Sequence, residues 1–167
     1  GTLMWAPSGT TGYNTKFTNI VCTSSQNDSW AALTAATFTG DTDGSDNWEE
    51  ICAVDPEGTA DAATNYPAFN FALTYGTQAG LTETDYENGW YVPSVAELYD
   101  VYTNKEVVQT SLTAVDGFYL GTGSYRSSSQ SASTYTYVSL VGFSDGNVYS
   151  NFKSNSSNVF VLQAFNA

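Results

Sequence analysis

The spacing of apolar and polar positions changes along the chain. Residues 1–40 are mixed and hydroxyl-rich, and short apolar stretches at residues 3–6 and 19–23 predict strands. Residues 41–117 carry nearly all the helical periodicity. The clearest helix starts at Ser94: Pro93 stops the preceding strand, Ser94 can cap, and Glu97 completes Ser-x-x-Glu, a capping box. Val95, Leu98, Tyr99 and Tyr102 then share one face. A second helix is predicted after Asn104, with Val107, Val108, Leu112 and Val115 inward and Gly117 at its end. Residues 48–54 predict a short helix capped by Asp46. Residues 66–75 predict another, with Pro67 in its first turn, Phe69 and Leu73 inward, and Gly76 as its stop.

Past residue 118 the helical signal disappears. Tyr135, Tyr137, Ser139 and Val141 alternate with Thr136, Val138 and Leu140, the two-residue period of a strand. Ser144-Asp145-Gly146-Asn147 is a turn signal, and residues 148–152 predict the returning strand. Residues 159–165 are almost continuously apolar and predict a last strand buried on both faces. Strands at both ends with helices between predict an α+β fold, one domain over residues 1–167, with paired terminal strands.

Composition narrows the function. The chain has 17 acids, 4 bases and no histidine, a formal charge of −13. That charge argues against nucleic acid and anionic membrane as partners. No apolar run approaches the roughly 20 residues of a membrane span, so no membrane insertion is expected. Without histidine, Ser-His-Asp, Cys-His and histidine-based metal chemistry are excluded. Lys16, Lys105, Arg126 and Lys153 are the only cationic groups. Charged residues make up 13 % of the chain, about half the usual share. Hydroxyls and amides replace them, which fits a secreted or cell-surface protein. Cys22 and Cys52 form one disulfide in such a compartment, or remain two buried thiols.

Three groups of residues carry candidate chemistry. Asp41, Asp43 and Asp46 sit on a glycine-containing loop followed by Glu49 and Glu50, a set of hard oxygens suited to Ca²⁺. The spacing is not that of an EF-hand, and the same loop also reads as a solvated acidic turn before a helix. Seventeen acids allow many carboxylate pairs, but no motif marks one for glycoside hydrolysis. The tail sets Tyr125, Tyr135, Tyr137, Tyr149 and Phe152 among Ser, Thr and Asn, the composition of a binding paratope and equally of ordinary strands. Arg126 reads either as an anchor at that surface or as a structural ion-pair partner.

Four stretches, in order, carry a resemblance. Gly89-Trp90-Tyr91-Val92-Pro93-Ser94-Val95-Ala96-Glu97-Leu98 is similar to a W-x-L-P-[ST]-x-x-E-L core. Tyr125-Arg126-Ser127-Ser128-Ser129-Gln130 is similar to Y-W-S-S-[ST], Phe143-Ser144-Asp145-Gly146 to F-S-D-G, and residues 159–165 to V-R-x-V-R-A-F. Together, over about residues 40–167, the chain resembles the bacterial extracellular family called DUF1566 or the Lcl C-terminal domain. The resemblance implies a C-type lectin-like fold: a terminal two-stranded sheet, two main helices and a second small sheet beneath a loop-rich display surface. It also implies ligand binding rather than catalysis. The chain departs from the pattern at Arg126 and Ser139, where the family carries Trp, and at Phe160 and Gln163, where it carries Arg. Glycosaminoglycan is therefore not the expected main ligand unless a metal ion intervenes.

The expectation is a non-enzymatic surface module that binds a protein or glycan ligand through its tail. In a sharper form, the tail is a variable region diversified by a retroelement. The alternative is a self-associating subunit of a surface filament or layer.

Overall fold

The computed structural model describes residues 1–26, 35–115, 117 and 119–164. In chain order the elements are β1 (Thr2–Leu3), α1 (Thr11–Asn14), a 3-10 turn at Thr18–Ile20, β2 (Cys22–Ser24) and β3 (Phe38–Gly40). Then come α2 (Asn47–Val54), α3 (Pro56–Thr59), α4 (Ala62–Asn65), α5 (Pro67–Gln78) and β4 (Trp90–Tyr91). They are followed by α6 (Val95–Thr103), α7 (Lys105–Ala114), β5 (Ser124–Gln130), β6 (Tyr137–Gly142), β7 (Val148–Phe152), β8 (Ser157–Val159) and β9 (Leu162–Gln163). The chain is mixed α+β.

The main sheet has five strands in the order β1-β8-β5-β6-β7, and two-stranded ribbons join β2 to β3 and β4 to β9. β1 pairs antiparallel with β8, which ties the chain start to its closing segment. β8 runs parallel to β5, the other neighbours antiparallel. Val138 and Val141 lie on opposite faces of β6, and they enter different apolar clusters. Val138 joins Trp5, Phe17, Ile20, Ile51, Tyr66 and Phe69. Val141 joins Val95, Leu98, Tyr125, Phe143, Val148 and Phe160.

The central strand β5 is polar. Arg126, Ser127, Ser128, Ser129 and Gln130 are all fully buried. Small hydroxyls let neighbouring backbones approach and satisfy their hydrogen-bonding groups. Ser127 Oγ donates to the Ser139 carbonyl at 2.7 Å, Asn47 Nδ2 donates to Ser128 Oγ at 2.7 Å, and Val95 N donates to Ser129 Oγ at 2.9 Å. The Ser128 N–H donates to the Pro93 carbonyl at 2.8 Å. One strand thus holds β6, the start of α2 and the start of α6.

The helix signals resolve unevenly. α6 begins at the expected capping box, with both halves formed. Asp46 precedes α2 but makes no side-chain cap; Glu49 and Glu50 in the first turn complement the helix dipole instead. α5 starts at Pro67 and runs past Gly76 to Gln78. Gly76 is a contact, not a stop: a Cβ there would lie 1.8 Å from the Glu87 carbonyl oxygen. The turn instead comes at Gly80, with φ of +71°. Leu73 on α5 and Val107 and Val115 at α7 face solvent, whereas Val108 and Leu112 pack on the second cluster. A short helix on a molecular edge buries only a narrow stripe of its apolar residues.

Of the strands predicted at the N-terminus, the first shortens to β1 and the second splits into the 3-10 turn and β2. The closing apolar run splits into β8 and β9, with Phe160 and Val161 between them; residue 165 lies outside the described residues. Among the described residues no helix is long and apolar enough to cross a membrane.

Candidate functional site

The tail strands build an open aromatic face. The β6–β7 register sets Tyr137 opposite Phe152 and Ser139 opposite Ser150. The Tyr137 and Phe152 rings meet edge to face, with centroids 4.5 Å apart. Phe152 is 39 % exposed, Tyr135 48 %, and Tyr137 is half-buried. Beside them lies a narrow cleft of about 40 Å³, lined by Thr23, Ser24, Ser131, Ser133, Ser139 and Ser150 among others. Ser131 Oγ lies 2.8 Å from Ser133 Oγ and receives Ser150 Oγ at 3.2 Å.

The face is fixed from beneath. Buried Gln130 donates from Nε2 to the Tyr137 carbonyl at 2.7 Å and to the Thr134 carbonyl at 2.9 Å. Lys16 Nζ donates to the Ala132 carbonyl at 2.9 Å. The loop bearing Tyr135 is therefore held at several points, so its rings are partly pre-ordered for contact.

Other predicted site residues lie elsewhere. Tyr125 is buried in the second cluster, 4.3 Å from the Phe143 ring by centroids, and its hydroxyl accepts from Gly121 N. Burial raises its pKa above the usual phenol value. Arg126 is fully buried; its Nη2 donates to the Asn155 and Phe152 carbonyls and to Ser157 Oγ. Desolvation lowers its guanidinium to about 10, and the side chain ties β5 to the segment before β8. Neither residue can serve as a surface anchor, because alternation along β5 turns both into packed layers. Tyr149 is half-buried and donates its hydroxyl to Ser124 Oγ. The candidate contact set therefore contracts to Tyr135, Tyr137 and Phe152.

The acidic loop folds on itself. Asp41 Oδ1 accepts from Asp43 N at 3.3 Å, and Asp43 Oδ1 accepts from Ser45 N at 2.9 Å. Hydrogen bonds from Ser45 hold Asp43 below its usual carboxylate value, while burial raises Asp41. Asp46 is exposed at the start of α2. Asp41 Oδ2 and Asn47 Oδ1 are both buried without partners. Asp41, Asp43 and Asp46 are not gathered around a common point, and among the described residues no three His, Cys, Asp or Glu side chains form a metal-holding group.

Cys22 and Cys52 are free thiols. Cys22 belongs to the second cluster, where burial and then the Asp41 charge raise it to about 11. Cys52, on α2, acts electrostatically on Tyr66 of the first cluster. Cys52 is half-buried and belongs to neither apolar cluster.

A second concavity involves residues to which the sequence assigns only helix or motif positions. It lies between α2, α5 and β4, has a volume of about 340 Å³, and its lining includes Trp48, Phe69, Leu73, Trp90 and Tyr91. The tryptophan content is the available signal, but Trp48 and Trp90 are far apart along the chain and nothing in sequence brings them together.

Comparisons with protein-family models, with curated proteins and with solved structures give no match to this chain.

Proposed function

We propose that the protein is a non-enzymatic, surface-exposed ligand-binding module that contacts a protein or glycan through Tyr135, Tyr137 and Phe152. The observation that carries this reading is the Tyr137–Phe152 ring pair, with Phe152 exposed and Tyr137 half-buried, beside a hydroxyl-lined cleft. Tyrosine offers large contact area and a hydroxyl at low entropy cost. The absence of histidine supports binding over acid–base catalysis.

A C-type lectin-like fold of the DUF1566 type belongs to the same proposal. Pairing of β1 with β8 supports it, as do the two successive helices α6 and α7 ahead of the tail sheet. Within it, retroelement diversification would act on residues 133–137 and 150–152, because β5 is buried along nearly all of its length.

The test is a glycan and protein array probed with wild type and a Tyr135→Ala/Tyr137→Ala/Phe152→Ala variant. The expected result is loss of bound targets with an unchanged circular dichroism spectrum. Equal binding by both proteins would place the contact surface elsewhere.

A second reading, self-association, draws on exposed Val107, Val115 and Tyr119, at 69 %, 74 % and 76 % exposure. Light scattering separates the two.

A further inference from the structure

The concavity between α2, α5 and β4 is built independently of the tail face. Its rings are held by neighbours. Trp48 stacks on buried Phe69, with centroids 5.3 Å apart and planes 25° apart. Trp90 packs on Tyr75 at 4.6 Å, and its Nε1 donates to the Tyr86 carbonyl at 2.7 Å. Tyr91 donates its hydroxyl to Glu97 Oε1 at 2.8 Å. Glu97 Oε2 accepts from Ser94 N and from Gly44 N, both at 2.9 Å. One carboxylate thus joins the capping box of α6, the acidic loop and Tyr91, and holds that wall of the cleft.

The electrostatics are one-sided. Exposed Glu49 is among the lining residues, Glu97 holds Tyr91 from behind, and the Asp43 charge acts on Tyr91 as well. None of the four bases lines the cleft. Arg126 and Lys153 are buried elsewhere, Lys16 bonds Ala132, and Lys105 sits over Tyr102 and bonds Phe143. Aromatic faces carry negative quadrupole potential and attract cations, most strongly desolvated ones. A volume of about 340 Å³ falls at the small-molecule end of ligand sites.

We propose that this cleft binds an organic ammonium ion, best a quaternary one, against Trp48, Trp90 and Tyr91, with Glu49 as its counter-charge. Anions are repelled by three carboxylates. A small inorganic cation gains little from a mostly apolar wall that offers few oxygens. A quaternary ammonium has both the charge and the apolar surface that the cleft complements. The chemistry is shared by free choline-like ions and by phosphocholine lipid headgroups.

The test titrates choline and tetramethylammonium into the protein and follows the tryptophan indole N–H resonances. The neutral isostere 3,3-dimethyl-1-butanol and N-acetylglucosamine serve as comparisons. Choline is expected to bind about tenfold more tightly than the neutral isostere. Glu49→Gln, on an exposed position, is expected to weaken choline about threefold without altering the fold. Trp90→Leu is expected to abolish binding; if it unfolds the protein, the Glu49→Gln and isostere results still decide. Tyr135→Ala/Tyr137→Ala is expected to leave choline binding intact, so the two surfaces stand or fall separately. Given choline binding, phosphatidylcholine vesicles separate the sources: co-sedimentation assigns the headgroup, and its absence a soluble ion. No indole shift with choline, equal affinity for the isostere, or a response to N-acetylglucosamine alone overturns the proposal.

Discussion

Lys153 is the residue whose environment departs furthest from what its type leads one to expect. It follows β7 directly, is fully buried, and donates to the Gly12 carbonyl at 2.9 Å and the Thr15 carbonyl at 2.7 Å. Its Nζ lies 4.6 Å from the Trp5 ring centroid and 4.9 Å from that of Phe17. It therefore fastens the end of the tail hairpin to the N-terminal segment, using the ring faces as well as the carbonyls. Burial lowers the amine from 10.5 to about 7. Between those values the unfolded chain holds a proton that the folded chain lacks, so this group makes stability rise with pH. Cys22 has the opposite sign: raised to about 11 from 9.0, it makes stability fall above pH 9. Tyr66, raised by burial and by donation to Asp55, adds to that fall above pH 10. Stability to urea is expected to climb from pH 7 to a maximum near 9. Lys153→Met should flatten the climb. It should also cost about 1–3 kcal/mol at pH 9, by leaving two carbonyls without a donor. An unchanged climb in the variant would reject this assignment.

At the scale of elements, legibility followed the kind of signal. α6 was readable because its boundary is a local device, Ser94 with Glu97, and its inner face repeats at helical spacing. The β6–β7 hairpin was readable from alternation and an Asp-Gly turn: Asn147 N donates to Asp145 Oδ1 at 3.0 Å, and Gly146 adopts φ of +75°. β5 was not readable as the core strand it is. Its Tyr-Arg-Ser-Ser-Ser-Gln run looks like surface, and only long-range partners make it interior: Asn47, Pro93, Val95 and Ser139. For the same reason the sequence leaves Arg126 open between a surface anchor and a structural partner, because hydropathy does not report hydrogen bonds made far along the chain. Ser129→Ala tests that account. It removes the acceptor of the buried Val95 N–H and should cost about 1–3 kcal/mol despite deleting a single atom. Glu97→Ala releases three donors together, and its cost should exceed the roughly 1 kcal/mol of an isolated cap. Urea midpoints for both variants, against exposed Ser111→Ala as control, measure the difference.

For the whole molecule, the charge seen by solvent is more one-sided than the sequence sum. Of four bases, Arg126 and Lys153 are buried, whereas among the described residues Asp55 is the only buried acid. Self-repulsion therefore opposes both compaction and the close approach of copies. Apolar side chains at α7 favour association, but like charges across any shared face oppose it until salt shortens the screening length to about 8 Å near 0.15 M. The particle is accordingly expected to stay monomeric by light scattering at low salt. Its thermal midpoint should rise by a few degrees as sodium chloride is added, since about 1 kcal/mol shifts a domain of this size by ~2–4 °C. Calcium chloride provides the discriminating comparison. Asp41 and Asp43 accept backbone N–H groups within their own loop, and among the described residues the acids of residues 41–46 form no metal-holding group. At matched ionic strength, calcium should therefore stabilise no more than sodium. A further rise saturating at low calcium concentration would show that the acidic loop rearranges to take the ion, and would return Asp41, Asp43 and Asp46 to the functional surface.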